Sequence, residues 1–174
     1  MKIDVLPDSD AVAREAAKFI AAEARAAIRA RGRFLFAVSG GHTPWLMLRA
    51  LAGETVPWLE VHLFQVDERV APAGDPDRNL THIRESLLTS VPLRAEHVHA
   101  MPVDRPDLEA AAESYARLLQ GVAGSPPVLD LVHLDPAVVG PNPVARLDFR
   151  QRCPPVTPDV EGVFGGCPDH SFVA

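Results

Sequence analysis

The chain has 174 residues, enough for one domain with a sizeable core. Hydrophobic residues make up 47% and charged residues 23%, the balance of a soluble globular protein, and the net charge of -6 argues against the basic face of a nucleic-acid binder. No apolar run approaches the roughly 18 residues that span a bilayer. Met1–Pro7 lacks the apolar core of a secretory signal, so a cytoplasmic protein with Cys153 and Cys167 as free thiols is expected.

The first predicted element is a helix capped by Asp8 or Ser9 and running to about Ala30, with Val12, Ala16, Phe19, Ile20, Ala27 and Ile28 on its inner face. Gly32 ends it in the manner of a C′ glycine. Arg33–Val38 is almost continuously apolar, the pattern of a strand buried on both faces. After a turn at residues 39–43, Pro44 suits a first helical position, and Trp45, Leu46, Leu48 and Leu51 continue a short helix that closes at Gly53. Trp58–Val66 reads as a second strand, and residues 67–76 as a polar loop.

A helix follows from about Arg78 to Ser90, with Asp77 as its N-cap and Arg78 as a surface charge. Val98–Met101 reads as a short strand. Pro106-Asp107 opens a helix through Leu119 whose inner side carries Leu108, Ala112, Tyr115, Leu118 and Leu119. Val128–Leu134 is a further apolar strand. Alternating strands and helices, joined by crossover-length connections, predict an α/β fold with a mostly parallel sheet and helices on both faces. From Asp135 the pattern fails: seven prolines and four glycines fall in the last 40 residues, and no helix of normal length fits between them. Residues 1–134 therefore read as an α/β domain and 135–174 as a poorly ordered Pro/Gly-rich tail.

Three segments can carry chemistry. In Ser39-Gly40-Gly41-His42-Thr43-Pro44 a strand delivers the chain, two glycines let backbone approach a ligand, and a helix begins at once. Backbone N–H groups at the positive end of a helix suit an anion, and Ser39 and Thr43 add hydroxyls. A plain turn capped by Thr43 fits the same residues. Asp67-Glu68-Arg69 follows the second strand, at the end of an open parallel sheet where ligands bind. Its carboxylates suit proton transfer or orienting a hydroxyl, and its guanidinium suits a phosphate or carboxylate. A solvated charged loop is the alternative. Asn79 can hydrogen-bond a sugar hydroxyl. The seven histidines show no metal-ligand spacing: His97 and His99 lack a carboxylate partner, and His62 and His133 read as strand residues.

Taken in order, Phe36–Pro44, Phe64–Val70, Asp77–Leu80 and Leu129–Leu134 resemble the 6-phosphogluconolactonases, in the larger group that includes glucosamine-6-phosphate deaminases. The resemblance covers residues 1–134, and Asp-Glu-Arg favours the lactonase branch over an isomerase or deaminase. It implies a Rossmann-like α/β fold and hydrolysis of 6-phospho-D-glucono-1,5-lactone in the oxidative pentose phosphate pathway. It further implies a monomer acting on a small phosphorylated lactone with no metal or organic cofactor. On the matching positions, Ser39, Gly40, Gly41, Thr43, Asp67, Arg69 and Asn79 are implied to bind substrate. The family continues from this strand into a Gly-Leu-Gly-Pro-Asp-Gly-His loop whose histidine is the expected general base. Here Asp135-Pro136-Ala137-Val138-Val139-Gly140 stands instead, with no histidine before His170, and the family's later strands, helices and basic residue have no counterpart. The break fits a reading-frame change near residue 135, with a genuine but divergent C-terminus as the alternative. For the function, the alternative to hydrolysis is a truncated form that at most binds sugar phosphates without turnover.

Overall fold

The computed structural model describes residues 5–134 and 144–146. Apart from residues 144–146, the expectations for the C-terminal tail lie outside the described residues.

Helix α1, Ser9–Arg31, is capped by the Asp8 carboxylate, which accepts the Ala11 N–H at 2.7 Å. It ends at Gly32, whose φ of 73° is left-handed and whose N–H donates to Ile28 O at 2.8 Å. Both ends were legible, and the buried face in part: Ile20 and Ala27 lie in the core and Ala16 and Ile28 pack against it, as expected. Ala13, Ala17, Ala21, Ala24 and Ala27 face inward with Ile20, while Phe19 is 49% exposed. Small side chains let α1 lie close against helix α2, His42–Ala52, so alanines occupy the seam and larger apolar residues fall to its margin.

The sheet is parallel, in the order β4-β2-β1-β5. Its strands are β1 (Phe34–Val38), β2 (Val61–Gln65), β4 (Val98–His99) and β5 (Leu131–His133). Every residue of β1 is buried. Phe34, Phe36 and Val38 point into the core under α1 and α2, and Leu35 and Ala37 into the core on the other face. That second core is closed by helix α4, Leu108–Ala123, capped by Asp107. Its buried stripe is Ala111, Tyr115, Leu119 and Ala123, with Leu108 and Leu118 exposed. Tyr115 and Leu119 face inward as expected, whereas Leu108 and Leu118 are exposed and Ala111 and Ala123 take the remaining inner positions; a polar contact holds Tyr115 in place. Its hydroxyl accepts the Gln65 N–H at 2.9 Å and lies 3.0 and 3.1 Å from the carbonyls of Gln65 and His99.

The stretch 67–76 is not only a loop. Asp67–Arg69 forms β3, which pairs antiparallel with β6, Val144–Arg146, in the segment where no packed element was expected. The expected helix from Arg78 is shorter and broken: α3 spans Asn79–Ile83 and passes into a π-helical turn, Arg84–Leu88, closed by Thr89 N–H to Arg84 O at 3.1 Å. Trp58–Glu60 is a 3₁₀ turn ahead of β2. Among the described residues no helix is long and apolar enough to cross a membrane.

Candidate functional site

Strand order places β1 centrally, with β2 on one side and β5 on the other. The chain thus leaves β1 at the point where the order reverses, where open α/β sheets form a ligand crevice. The Ser39 N–H donates to His133 O at 3.1 Å, which joins the carboxyl ends of β1 and β5 beneath the turn. Ser39 and Gly40 are buried, and Gly41, with φ 119°, is the N-cap of α2. The helix begins at His42, two residues before Pro44, so neither Thr43 nor Pro44 holds the capping or first position expected of it. Its opening amides have no acceptor within the helix and are available to an anion.

Gly40 is required by a close approach. A Cβ on it would lie 1.8 Å from Asn79 Oδ1 and 2.1 Å from Asn79 Cγ. Asn79 cannot simply swing away, because its Nδ2 donates to Asp67 O at 3.2 Å and to Asp67 Oδ2 at 3.1 Å. Asp67 Oδ1 in turn accepts the Gly40 N–H at 3.3 Å. Gly40, Asp67 and Asn79 therefore form a closed triangle. Burial pushes the Asp67 carboxyl pKa up, against the opposing pull of the Gly40 and Asn79 hydrogen bonds and the Arg69 charge. Both carboxylate oxygens are taken up in holding the turn.

Glu68, at 0% exposure, is the hub beneath this triangle. Its carboxylate accepts the Arg69 and Asn79 N–H groups (both at 2.7 Å), the Leu80 N–H at 3.0 Å and Gln65 Nε2 at 2.8 Å. Arg78 Nε lies 3.4 Å from it. The cap of α3 therefore comes from Glu68, not from Asp77, whose N–H donates to Asp75 Oδ1. Arg78 is no surface charge: it is 4% exposed and reaches Ala71 O and Asp104. Gln65 extends the network by accepting the Met101 N–H at 2.9 Å.

A cleft of about 250 Å³ opens over this platform, lined by Gly41, Trp45, Arg69, Pro76, Asp77, Asn79 and His82. Of the residues marked by the sequence, Gly41, Arg69 and Asn79 reach the cleft. Gly40 and Asp67 support it from below, buried Ser39 lies at the base of the turn, and exposed Thr43 stands apart from the lining. Among the described residues no carboxylate forms an ion pair with Arg69. Trp45 and His82 were missed: their rings stack with centroids 3.8 Å apart. His82 Nε2 donates to Pro76 O at 2.7 Å, which fixes its tautomer. The available signal was Trp45's spacing of four from Gly41, which sets both on one side of α2.

An arginine, a helix start and a buried amide around one opening can hold an anion with hydroxyls attached. Of the lining residues, Asp77 and His82 are the two that can accept a proton. On the far edge of the sheet His62, His97 and His99 stack: His62 and His97 ring centroids are 3.8 Å apart, and His62 Nδ1 lies 3.0 Å from His99 Nε2. Burial, aided by the two neighbouring imidazoles, lowers the His99 pKa to about 4. Among the described residues no group of side chains is arranged to hold a metal ion.

Relatives carry the same framework. The chain is 35% identical over 136 residues to a 6-phosphogluconolactonase of Nostoc sp., covering 76% of this chain and 57% of that protein. It is 36% identical over 140 residues to the 6-phosphogluconolactonase of Mycobacterium tuberculosis, with the same shares. The chain thus spans 57% of the length of these relatives. The solved 6-phosphogluconolactonase of Thermotoga maritima superposes with a TM-score of 0.67 at 25% identity, covering 74% of this chain and 56% of that one. A monomeric glucosamine-6-phosphate deaminase shares the fold, with a TM-score of 0.62 at 17% identity over 70% of this chain and 51% of that one. Residues 7–136 match the family described as glucosamine-6-phosphate isomerases/6-phosphogluconolactonase, and the chain belongs to that family.

Proposed function

We propose that the cleft binds a phosphorylated sugar lactone and that the chain serves the hydrolysis of 6-phospho-D-glucono-1,5-lactone to 6-phosphogluconate. In this reading it works in the cytoplasm as a monomer within the oxidative pentose phosphate pathway, without metal, organic cofactor or nucleic acid. The observation that carries it is the meeting of Arg69, the α2 opening at Gly41 and Asn79 in one cleft at the carboxyl end of the sheet. Arg69 and the α2 opening take the phosphate, and exposed Thr43, outside the lining, adds a hydroxyl only to a ligand that extends past the cleft. Asn79 meets the sugar, while Ser39, Gly40 and Asp67 hold the turn in shape. The relatives' 6-phosphogluconolactonase names support the lactonase over the isomerase or deaminase reading.

A specific observation favours a second reading, sugar-phosphate binding without turnover: no histidine stands between His133 and His170. Loss of a general base lowers a rate by roughly 10²–10⁴-fold. Lactone hydrolysis by the purified 174-residue protein, corrected for the spontaneous reaction, separates the two. Turnover well above background supports the lactonase. Ligand-dependent stabilisation by 6-phosphogluconate with background turnover supports the binding form. Absence of both overturns the cleft assignment.

A further inference from the structure

The cleft lining combines two chemically different sets of groups. One is polar and charged: Arg69, Asn79, the α2 opening at Gly41 and the Asp77 carboxylate beside them. The other is the stacked pair Trp45–His82 with Pro76. These aromatic residues come from separate elements, α2 and α3, and meet only in the folded chain. The pair is braced from both ends. His82 donates to Pro76 O, which ties α3 to the loop before it, and His42 meets Trp45 edge-on at 6.2 Å. The Trp45 indole Nε1 is buried with no hydrogen-bond partner among the described residues.

A phosphosugar has the matching two-sidedness. Its phosphate is a dianion that needs donors and a cation, and its ring carries C–H faces that pack on aromatic surface. An inorganic phosphate has the first half and lacks the second. Building on the proposed cleft ligand, we infer that the stacked Trp45–His82 pair is the specificity wall that recognises the sugar ring, while Arg69 and the α2 opening recognise the phosphate.

The wall contributes packing only to ligands that carry carbon. Trp45→Ala therefore weakens 6-phosphogluconate binding by up to about tenfold, the scale of one aromatic packing contact. The same variant leaves inorganic phosphate within about twofold, because truncating the indole removes neither the Arg69 guanidinium nor a backbone amide of α2. Trp45→Phe keeps a ring and retains most of the sugar affinity. His82→Ala removes the stacking partner without touching buried Ile83 or Leu87, and lowers the sugar-to-phosphate affinity ratio in the same direction.

Isothermal titration of the 174-residue protein with 6-phosphogluconate and, separately, with inorganic phosphate reads all four proteins, with cooperative urea unfolding as the check on folding. A selective loss of the sugar ligand, rescued by Trp45→Phe, supports the division of the cleft. If Trp45→Ala does not unfold cooperatively, His82→Ala decides. Parallel loss of both ligands, or no loss in either variant, overturns the division while leaving the proposed cleft ligand standing. A wild-type chain that binds neither ligand overturns both.

Discussion

Replacing Gly40 with alanine tests the architecture of the turn. The added Cβ would meet Asn79 Oδ1 at 1.8 Å, Cγ at 2.1 Å and Nδ2 at 2.5 Å, so the whole amide group obstructs it. Asn79 is buried and held by two hydrogen bonds to Asp67, and neither survives a displacement that relieves the clash. Overpacking costs about 1–3 kcal/mol. A lost hydrogen bond to a charged group adds about 1.5–3 kcal/mol. The substitution is therefore expected to destabilise by about 2.5–6 kcal/mol, a large part of a typical total of about 5–15 kcal/mol. Equilibrium urea unfolding followed by circular dichroism measures it.

The double variant Gly40→Ala/Asn79→Ala removes the obstructing amide, so its loss should fall short of the sum of the single losses by about 1–3 kcal/mol. A Gly40→Ala protein within about 0.5 kcal/mol of wild type, or a strictly additive double variant, refutes the close-approach argument.

Glu68→Ala leaves Arg78 buried without its inner partner and strips the Asn79 and Leu80 amides of their acceptor, a loss of about 3–5 kcal/mol in the same unfolding assay. Glu68→Gln, which keeps one oxygen, should lose less; equal stability of wild type and Glu68→Ala contradicts the hub role. The histidine stack predicts acid sensitivity. Its burial and its neighbouring imidazoles lower the His99 pKa to about 4, so the folded state binds fewer protons than the unfolded chain. The stabilising contribution is complete above the unfolded value of about 6.5 and is lost as pH falls towards 4. Unfolding free energy should decline across that window and decline less in His99→Gln; identical slopes contradict it. If the frame shifts near residue 135, another reading frame of the gene beyond that codon encodes a Gly-x-Asp-Gly-His loop, which resequencing checks.

The parts of the fold legible in the sequence are those whose physics is local. Asp8 and Gly32 mark the ends of α1 by their own chemistry, and five consecutive apolar residues set between Gly32 and the Gly40-Gly41 turn fit a strand buried on both faces. What remained hidden depends on partners distant in sequence. The alanine seam of α1 exists because α2 lies against it, and the partners that hold Tyr115, the Gln65 and His99 backbones, lie far off in sequence. Arg78 reads as a surface charge, and Glu68 as a proton-transfer group or part of a solvated loop, because the two meet only in the folded chain, across ten residues. One local hint existed: Asp-Glu-Arg follows the mostly apolar stretch Leu63-Phe64-Gln65-Val66 with no turn residue between, and the chain is still buried when it reaches Glu68. The candidate site divides the same way. Gly41, Arg69 and Asn79 were marked by motif and do line the cleft, whereas the Trp45–His82 wall is a meeting of two helices that no single segment announces.

The central claim is that this cleft holds a phosphosugar through Arg69 and the start of α2. Isothermal titration of 6-phosphogluconate into wild type and Arg69→Ala tests it most directly. Losing a charge-assisted contact of about 1.5–3 kcal/mol lowers affinity by roughly 10- to 100-fold, and the account predicts a loss in that range with an unchanged unfolding transition. Equal affinity in the two proteins, or no binding by wild type, contradicts it.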